Sequence, residues 1–337
     1  MVQRKIPALP YQDLASWTDN FSESNYLCHF QFGKLYRGKI GERYVMVKIW
    51  EDSEIYNYKP GDNESRLVDE VSLLGHRNMV NHPGMLKLLG YCTEDDHLGV
   101  VYDFKPLDTL YNLILKDGLT WLQRVKVLVG LASLLNHLHT VKSPPYKPFM
   151  VRNLDCAHIV LDEDYNPKLC DFGLVSGGIF PDRTIYKCHH VIGSYGYIDI
   201  TSFDEGHSSV KQDVYGFGVI LFSIISKRVY TEEDRLSYAP NVFRWAWGRC
   251  FEYDREKEKD SDSKKDDSDS GDSKKPKFSV VHPSLAEDPD FDPFDGCKIT
   301  ALGLDCTGRN LFARPTMNEV LGSLLRLHVV KNRENLL

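Results

Sequence analysis

Leu128, Leu131, Leu135 and Leu138 recur at three- and four-residue steps within residues 121–139, the spacing of a helix with one buried stripe. The same spacing predicts a helix within residues 7–26, with Leu14 and Trp17 on one face and a polar turn at its end. It predicts another over Leu67–Leu74. Between these helices the apolar runs are shorter and rich in strand formers. Leu27–Gly38, with Phe32, Leu35 and Tyr36, reads as a hairpin, and Val45–Lys48, His82–Cys92 and Leu98–Pro106 read as strands leading into a hinge. Further on, Val219–Ile225 is too short to cross a membrane and reads as a core helix. A Trp-rich helix over Asn241–Phe251 and closing helices over Lys298–Thr307 and Pro315–Leu327 complete the pattern. Residues 253–277, YDREKEKDSDSKKDDSDSGDSKKPK, break it: apolar periodicity is absent and the two charge signs nearly balance. Such a run buries too little to offset its ordering entropy and is expected to be disordered. It reads as a solvated loop, or as a regulated contact loop whose serines beside acids suit acid-directed kinases.

Composition narrows the class. A chain of 337 residues that is 42% hydrophobic can bury a large core, as one bilobal unit or two ordinary domains. A net charge of −7 offers no basic footprint for nucleic acid. The eight cysteines are scattered without a C-x-x-C pair and mostly sit beside apolar residues, a usage suited to a reducing compartment. The N-terminal residues show no apolar leader, and Val2 excludes N-myristoylation, so a cytosolic protein without its own membrane anchor is expected.

The candidate chemistry lies in residues 147–173, KPFMVRNLDCAHIVLDEDYNPKLCDFG. A polar loop leads to the apolar Ile159-Val160-Leu161, a turn over 162–167, a short strand over Lys168–Cys170, and Asp171-Phe172-Gly173. This resembles the catalytic loop and metal-binding segment of protein kinases, H-R-D-L-K-x-x-N followed by D-F-G. On that pattern Val151 replaces the His, Arg152 is kept, Asn153 replaces the catalytic Asp, Asp155 the Lys and His158 the Mg-binding Asn. A neutral amide at 153 has no basic atom near neutral pH, which removes a general-base contribution of about 10²–10⁴-fold. Asp155 turns an attraction for the γ-phosphate into a repulsion. His158 offers imidazole where Mg²⁺ prefers oxygen.

The resemblance extends over about residues 8–330. In the segment matching L-G-x-G-x-F-G-x-V-Y-x-G, Cys28 and Phe30 occupy the first two glycine positions and only Gly33 remains. Backbone N–H groups approach phosphates there only without a Cβ in the way, so a packed hairpin lid is expected instead of a phosphate cradle. Val45-Met46-Val47-Lys48 matches V-A-x-K, and Glu70 stands at the pairing glutamate. A Lys48–Glu70 ion pair is implied, serving nucleotide or simply pinning helix to sheet. Met46 would fill part of the adenine slot, with Val160 as its floor and Tyr102 guarding its rear. The activation segment, residues 174–201, holds Thr184, Tyr186, Ser194 and Tyr195 as candidate phosphorylation sites, with Arg152 as a partner for added phosphate. Cys188-His189-His190 lacks a second ligand cluster, so zinc is not expected. Asp213 is implied to brace the catalytic loop. The family's A-P-E is replaced by Asp199-Ile200-Thr201, so Arg314 must find another acceptor or reach water.

The chain is similar to plant receptor-like cytoplasmic kinases, and within them to the catalytically degenerate members. The resemblance implies an α+β, bilobal protein-kinase fold. A mainly β N-lobe with one helix would span 25–104 and a mainly α C-lobe 105–330. An N-terminal segment (1–24) would precede them, a charged insert (253–277) would interrupt the C-lobe, and a tail (331–337) would follow. It further implies a pseudokinase adaptor or scaffold for receptor kinases or immune receptors in plant defence signalling. Such a protein would be brought to the plasma membrane, if at all, by its partner. ATP and Mg²⁺ are in question as cofactors. Two alternatives stand beside this: an atypical serine/threonine kinase with Asp155 as base and Asp171 holding one Mg²⁺, and a switch that binds nucleotide without transferring phosphate.

Overall fold

The computed structural model describes residues 5–30, 32–51, 61–76, 82–94, 96–140, 148–180, 196–199, 209–231, 241–263 and 278–333. Two lobes follow the sequence pattern. In the first, β1 (Tyr26–Phe30), β2 (Gly33–Ile40), β3 (Arg43–Trp50), β4 (Leu88–Glu94) and β5 (His97–Tyr102) form an antiparallel sheet of order β1-β2-β3-β5-β4. Helix α1 (Tyr11–Trp17) covers one face, where Leu14 packs with Val45, Val47, Cys92 and Val101. Helix α2 (Asp62–Leu74) packs against β4 and β5 and brings the buried Leu67, Glu70 and Leu73 to the lobe interior. The chain before α1 shields the β4 edge, since Leu9 N–H donates to Tyr91 O at 2.7 Å and Tyr91 N–H to Pro7 O at 3.1 Å.

The second lobe is helical. Short α3 (Leu110–Ile114) precedes α4 (Trp121–His139), whose start is fixed by a reciprocal capping box between Thr120 and Gln123. Leu128, Leu131, Leu135 and Leu138 are all buried, as their spacing predicts. Helix α5 (Lys211–Ser226), which contains the Val219–Ile225 run, is buried along nearly its whole length. Helices α6 (Val242–Ser263) and α8 (Pro293–Cys306) pack against it, α7 (Pro283–Ala286) precedes α8, and α9 (Met317–Leu324) packs on α4 and α8. A small antiparallel sheet of β6 (Asp108–Thr109), β7 (Ile159–Leu161) and β8 (Pro167–Leu169) lies where the lobes meet and carries the loop of residues 150–158.

One expectation is corrected. The charged run was expected to be disordered from residue 253, yet α6 continues without a break to Ser263. Local pairs favour the helix there: Arg249 meets Glu252 at 2.8 Å, and the Lys257 ammonium lies 5.0 Å above the Tyr253 ring. Glu, Lys and Arg are also good helix formers, so an anchored helix propagates through residues that could not nucleate one. Residues 264–277 lie outside the described residues.

Candidate active-site cleft

Hydrogen bonds join three segments at one ammonium group. Lys48 Nζ, from β3, donates to Glu70 Oε2 of α2 at 2.7 Å, to Asp171 Oδ1 at 2.6 Å and to the Cys170 carbonyl at 3.1 Å. Lysine has three N–H donors, and all three are engaged. Glu70 Oε1 accepts in turn from the hydroxyl of Tyr102 at the end of β5. Lys48, Glu70 and Tyr102 are fully buried and Asp171 is 1% exposed. The ion pair implied by the sequence therefore forms, and it takes Asp171 in as well.

One buried cation here faces two carboxylates. Burial lowers the pKa of Lys48, but Asp171 and Glu70 raise it further, so it stays charged. Burial raises that of Asp171, yet Lys48 and then His158 overcome it and hold the carboxyl at about 2. For Glu70 burial prevails over Lys48, and its carboxyl titrates above the ordinary range. Glu70 is thus the less stabilised anion of the two, and the Tyr102 hydroxyl works against burial by favouring its charged form.

The loop before β7 completes the cluster. Asn153 Nδ2 donates to Asp171 Oδ2 at 2.6 Å, so both oxygens of Asp171 are occupied; Gly173 N–H adds a bond to Oδ1 at 3.2 Å. His158 Nδ1 lies 2.8 Å from the Asn153 carbonyl, which can only accept, so that nitrogen carries the proton. The same nitrogen is 3.7 Å from Asp171 Oδ2, while Nε2 is buried with no hydrogen-bond partner among the described residues. Asp155 Oδ1 accepts the Ala157 N–H at 2.9 Å and caps the single 3₁₀ turn over Cys156–His158. Asp213 receives the N–H groups of Val151 and Arg152, both at 2.8 Å, and His139 Nε2 at 2.9 Å, the bracing role implied by the sequence.

The β1–β2 hairpin closes over these groups. The Phe30 ring lies 4.8 Å from Lys48 Nζ and meets the His158 ring edge-on at 5.9 Å, with Trp50 4.6 Å from the same ammonium. Cys28 is buried against the loop, its thiol donating to Ala157 O at 3.5 Å, and burial pushes its pKa up to about 12. Met46 and Val160 are fully buried in one hydrophobic cluster that runs from the sheet into the helical lobe. Gly33 serves the sheet itself, since a Cβ there would sit 1.9 Å from the Ile49 carbonyl oxygen.

Two cross-lobe bonds were not anticipated from the sequence. Asn112 Nδ2 of α3 donates to Leu27 O at 3.0 Å, and Arg37 Nη2 of β2 donates to Leu107 O at 2.8 Å. Both join a side chain to a distant carbonyl, a pairing that leaves no motif.

The family of protein tyrosine and serine/threonine kinases matches residues 22–238, well over half of the chain. The chain belongs to the protein kinase family. Among its relatives is the Arabidopsis thaliana protein named "Probable serine/threonine-protein kinase PBL10", 28% identical over 329 residues, covering 95% of this chain and 72% of that one. PBL16 of the same organism and printed description is 29% identical over 325 residues, covering 94% and 72%. PBL21, also so described, reaches 32% over 242 residues, covering 70% and 60%. These relatives bear out the resemblance to plant receptor-like cytoplasmic kinases, and the two lobes are those of the bilobal kinase fold.

Lys48, Glu70, Asn153, His158 and Asp171, the residues the sequence pattern singled out, are thus brought together in one buried cluster. Arg314, whose family partner is missing, pairs with Asp199 at 2.6 Å, with both side chains buried. The acceptor has moved two residues toward the N-terminus. Thr184, Tyr186, Ser194, Tyr195 and the Cys188-His189-His190 cluster lie outside the described residues. Among the described residues no helix is long and apolar enough to cross a membrane.

Proposed function

We propose that this protein is a pseudokinase that acts by binding, as an adaptor or scaffold for receptor kinases or intracellular immune receptors, with phosphoryl transfer lost or very weak. One observation carries the reading. Every donor of Lys48 and both oxygens of Asp171 are already bonded to protein groups.

ATP with Mg²⁺, the family's usual pair, needs the Lys48 ammonium directed at phosphate and an Asp171 oxygen directed at the metal. The residues as arranged do not fit it. The Phe30 ring and the Cys28 side chain take the place of glycines, Met46 and Val160 are sealed in the core, and the Asn112–Leu27 bond crosses from roof to floor. A phosphoryl acceptor would also meet no base: Asn153 is an amide that donates to Asp171. The atypical-kinase alternative asks Asp155 to act as base, but its carboxylate already caps the Ala157 N–H. A role in the cytosol, or at the plasma membrane through a partner, follows from the same reading.

The test is phosphoryl transfer by the purified full chain, using radiolabelled ATP and a general protein substrate. No incorporation into either protein is expected. Incorporation that disappears in Asp155→Ala overturns the proposal in favour of the atypical kinase.

A further inference from the structure

Away from the cleft, the helical lobe carries a groove of 1260 Å³ between α6 and the segment from Thr307 to Arg314. Aromatic residues line it: Phe243, Trp247 and Phe251 of α6, with Tyr215 of α5 beneath. The Trp247 indole N–H donates to Thr307 Oγ1 at 3.0 Å, which fixes the ring, and Phe251 lies 5.8 Å from it. Phe251 is 61% exposed, so two neighbouring rings present apolar surface to water.

Two further features point to an occupant. Gly248 lines the groove in the middle of α6, and a Cβ added there would meet nothing within 4 Å. Glycine weakens a helix interior, and no packed neighbour accounts for it here. Its effect is open room beside Trp247. The groove's exposed charges are Arg244, Arg249 and Arg309 against one acid, Glu252, which pairs with Arg249 at 2.8 Å. The remaining pair, Asp199 and Arg314, neutralises itself in the interior. In a chain of net charge −7 this is a local reversal of sign.

We infer that this groove docks an acidic peptide segment of a partner protein, seating its apolar side chains against Trp247 and Phe251 beside Gly248. Its carboxylates would face Arg244, Arg249 and Arg309. The volume exceeds the roughly 300–1,000 Å³ of small-molecule pockets, and the rim charges would steer an acidic segment toward the rings. Cations ringing an aromatic recess suit a peptide better than a flat lipid surface. The site is separate from the Lys48 cluster, so the inference holds whether or not phosphoryl transfer is lost.

Fluorescence anisotropy of the full chain tests it. The probe is a fluorescein-labelled peptide with leucine at every fourth position and glutamate elsewhere; the control carries lysine for glutamate. Saturable binding of the glutamate peptide alone is expected. Arg249→Glu combined with Arg309→Glu should weaken it about tenfold or more. Gly248→Leu, which fills the groove, should abolish binding while melting no lower than wild type. Failure of the wild type to bind, equal binding of the lysine peptide, or binding that both variants leave unchanged overturns the inference. So does capture by phosphatidylserine vesicles in place of the peptide.

Discussion

Asn153 donates its side-chain N–H to Asp171 Oδ2 at 2.6 Å. On the proposed reading, Asn153 stands where a working kinase accepts a proton from a substrate hydroxyl, and Asp171 where it holds metal. Here the first residue gives a hydrogen bond to the second. The amide suits the closed cluster because Asn153→Asp would set two buried carboxylates face to face beside Glu70, where repulsion is screened least. On that reading the amide at 153 and the closure of the cleft are physically linked.

Lys48→Met should destabilise the fold strongly. It removes the cation bonded to both Glu70 and Asp171 and leaves buried carboxylates uncompensated, at a cost of about 3–5 kcal/mol. Urea unfolding measures it, and a loss below about 1 kcal/mol would mean that the cluster is wetter than the structure places it.

The acid limb of stability should belong to Asp171. A carboxyl at about 2 in the fold and 3.8 in the unfolded chain binds fewer protons when folded. Its contribution, on the order of 2 kcal/mol, is complete above the unfolded value and lost as pH falls from about 4 through about 2. Glu70 acts oppositely: its raised pKa takes stability away at neutral pH and returns it on mild acidification. Chemical denaturation across pH 2–7 in wild type and Asp171→Asn should show a shallower acid limb in the variant. Identical limbs would remove Asp171 as its origin.

Arg314 and Asp199 should be strongly coupled. Either alanine substitution leaves a buried charge and should cost about 3–5 kcal/mol, whereas the double variant should cost much less than the sum. A double-mutant cycle with additive losses would show that the two side chains do not depend on each other.

Restoring glycine should open the lid. Cys28→Gly with Phe30→Gly removes side chains that are 7% and 5% exposed, and should lower stability by about 3–5 kcal/mol. Cys170 should become accessible, read as faster alkylation of its buried thiol. Unchanged thiol protection would show that the hairpin does not seal the cleft.

The lobes were legible because their signals are local and repeated. The leucine steps of α4, the strand formers of β2 and the position of Glu70 in α2 each act within one turn or one strand. Cluster membership was partly legible, through the kinase pattern over Lys48, Glu70, Asn153, His158 and Asp171. Its wiring was not. That Asn153 would donate, that Asp199 would replace an acceptor two residues away, and that Asn112 would tie Leu27 across the lobes depend on contacts between residues far apart in sequence. The end of α6 was misjudged for a related reason: composition weighed residues 253–263 as a free chain, while in the fold they extend a helix already anchored by Trp247 and Phe243.

The central claim is that the closed Lys48–Asp171 cluster leaves no place for Mg·ATP. Thermal melting of the purified full chain with and without millimolar Mg·ATP tests it most directly, since a bound ligand adds RT ln(1 + [L]/Kd) to stability. Superimposable melts are predicted. An upward shift that depends on Mg²⁺ and is abolished by Asp171→Asn would contradict the account.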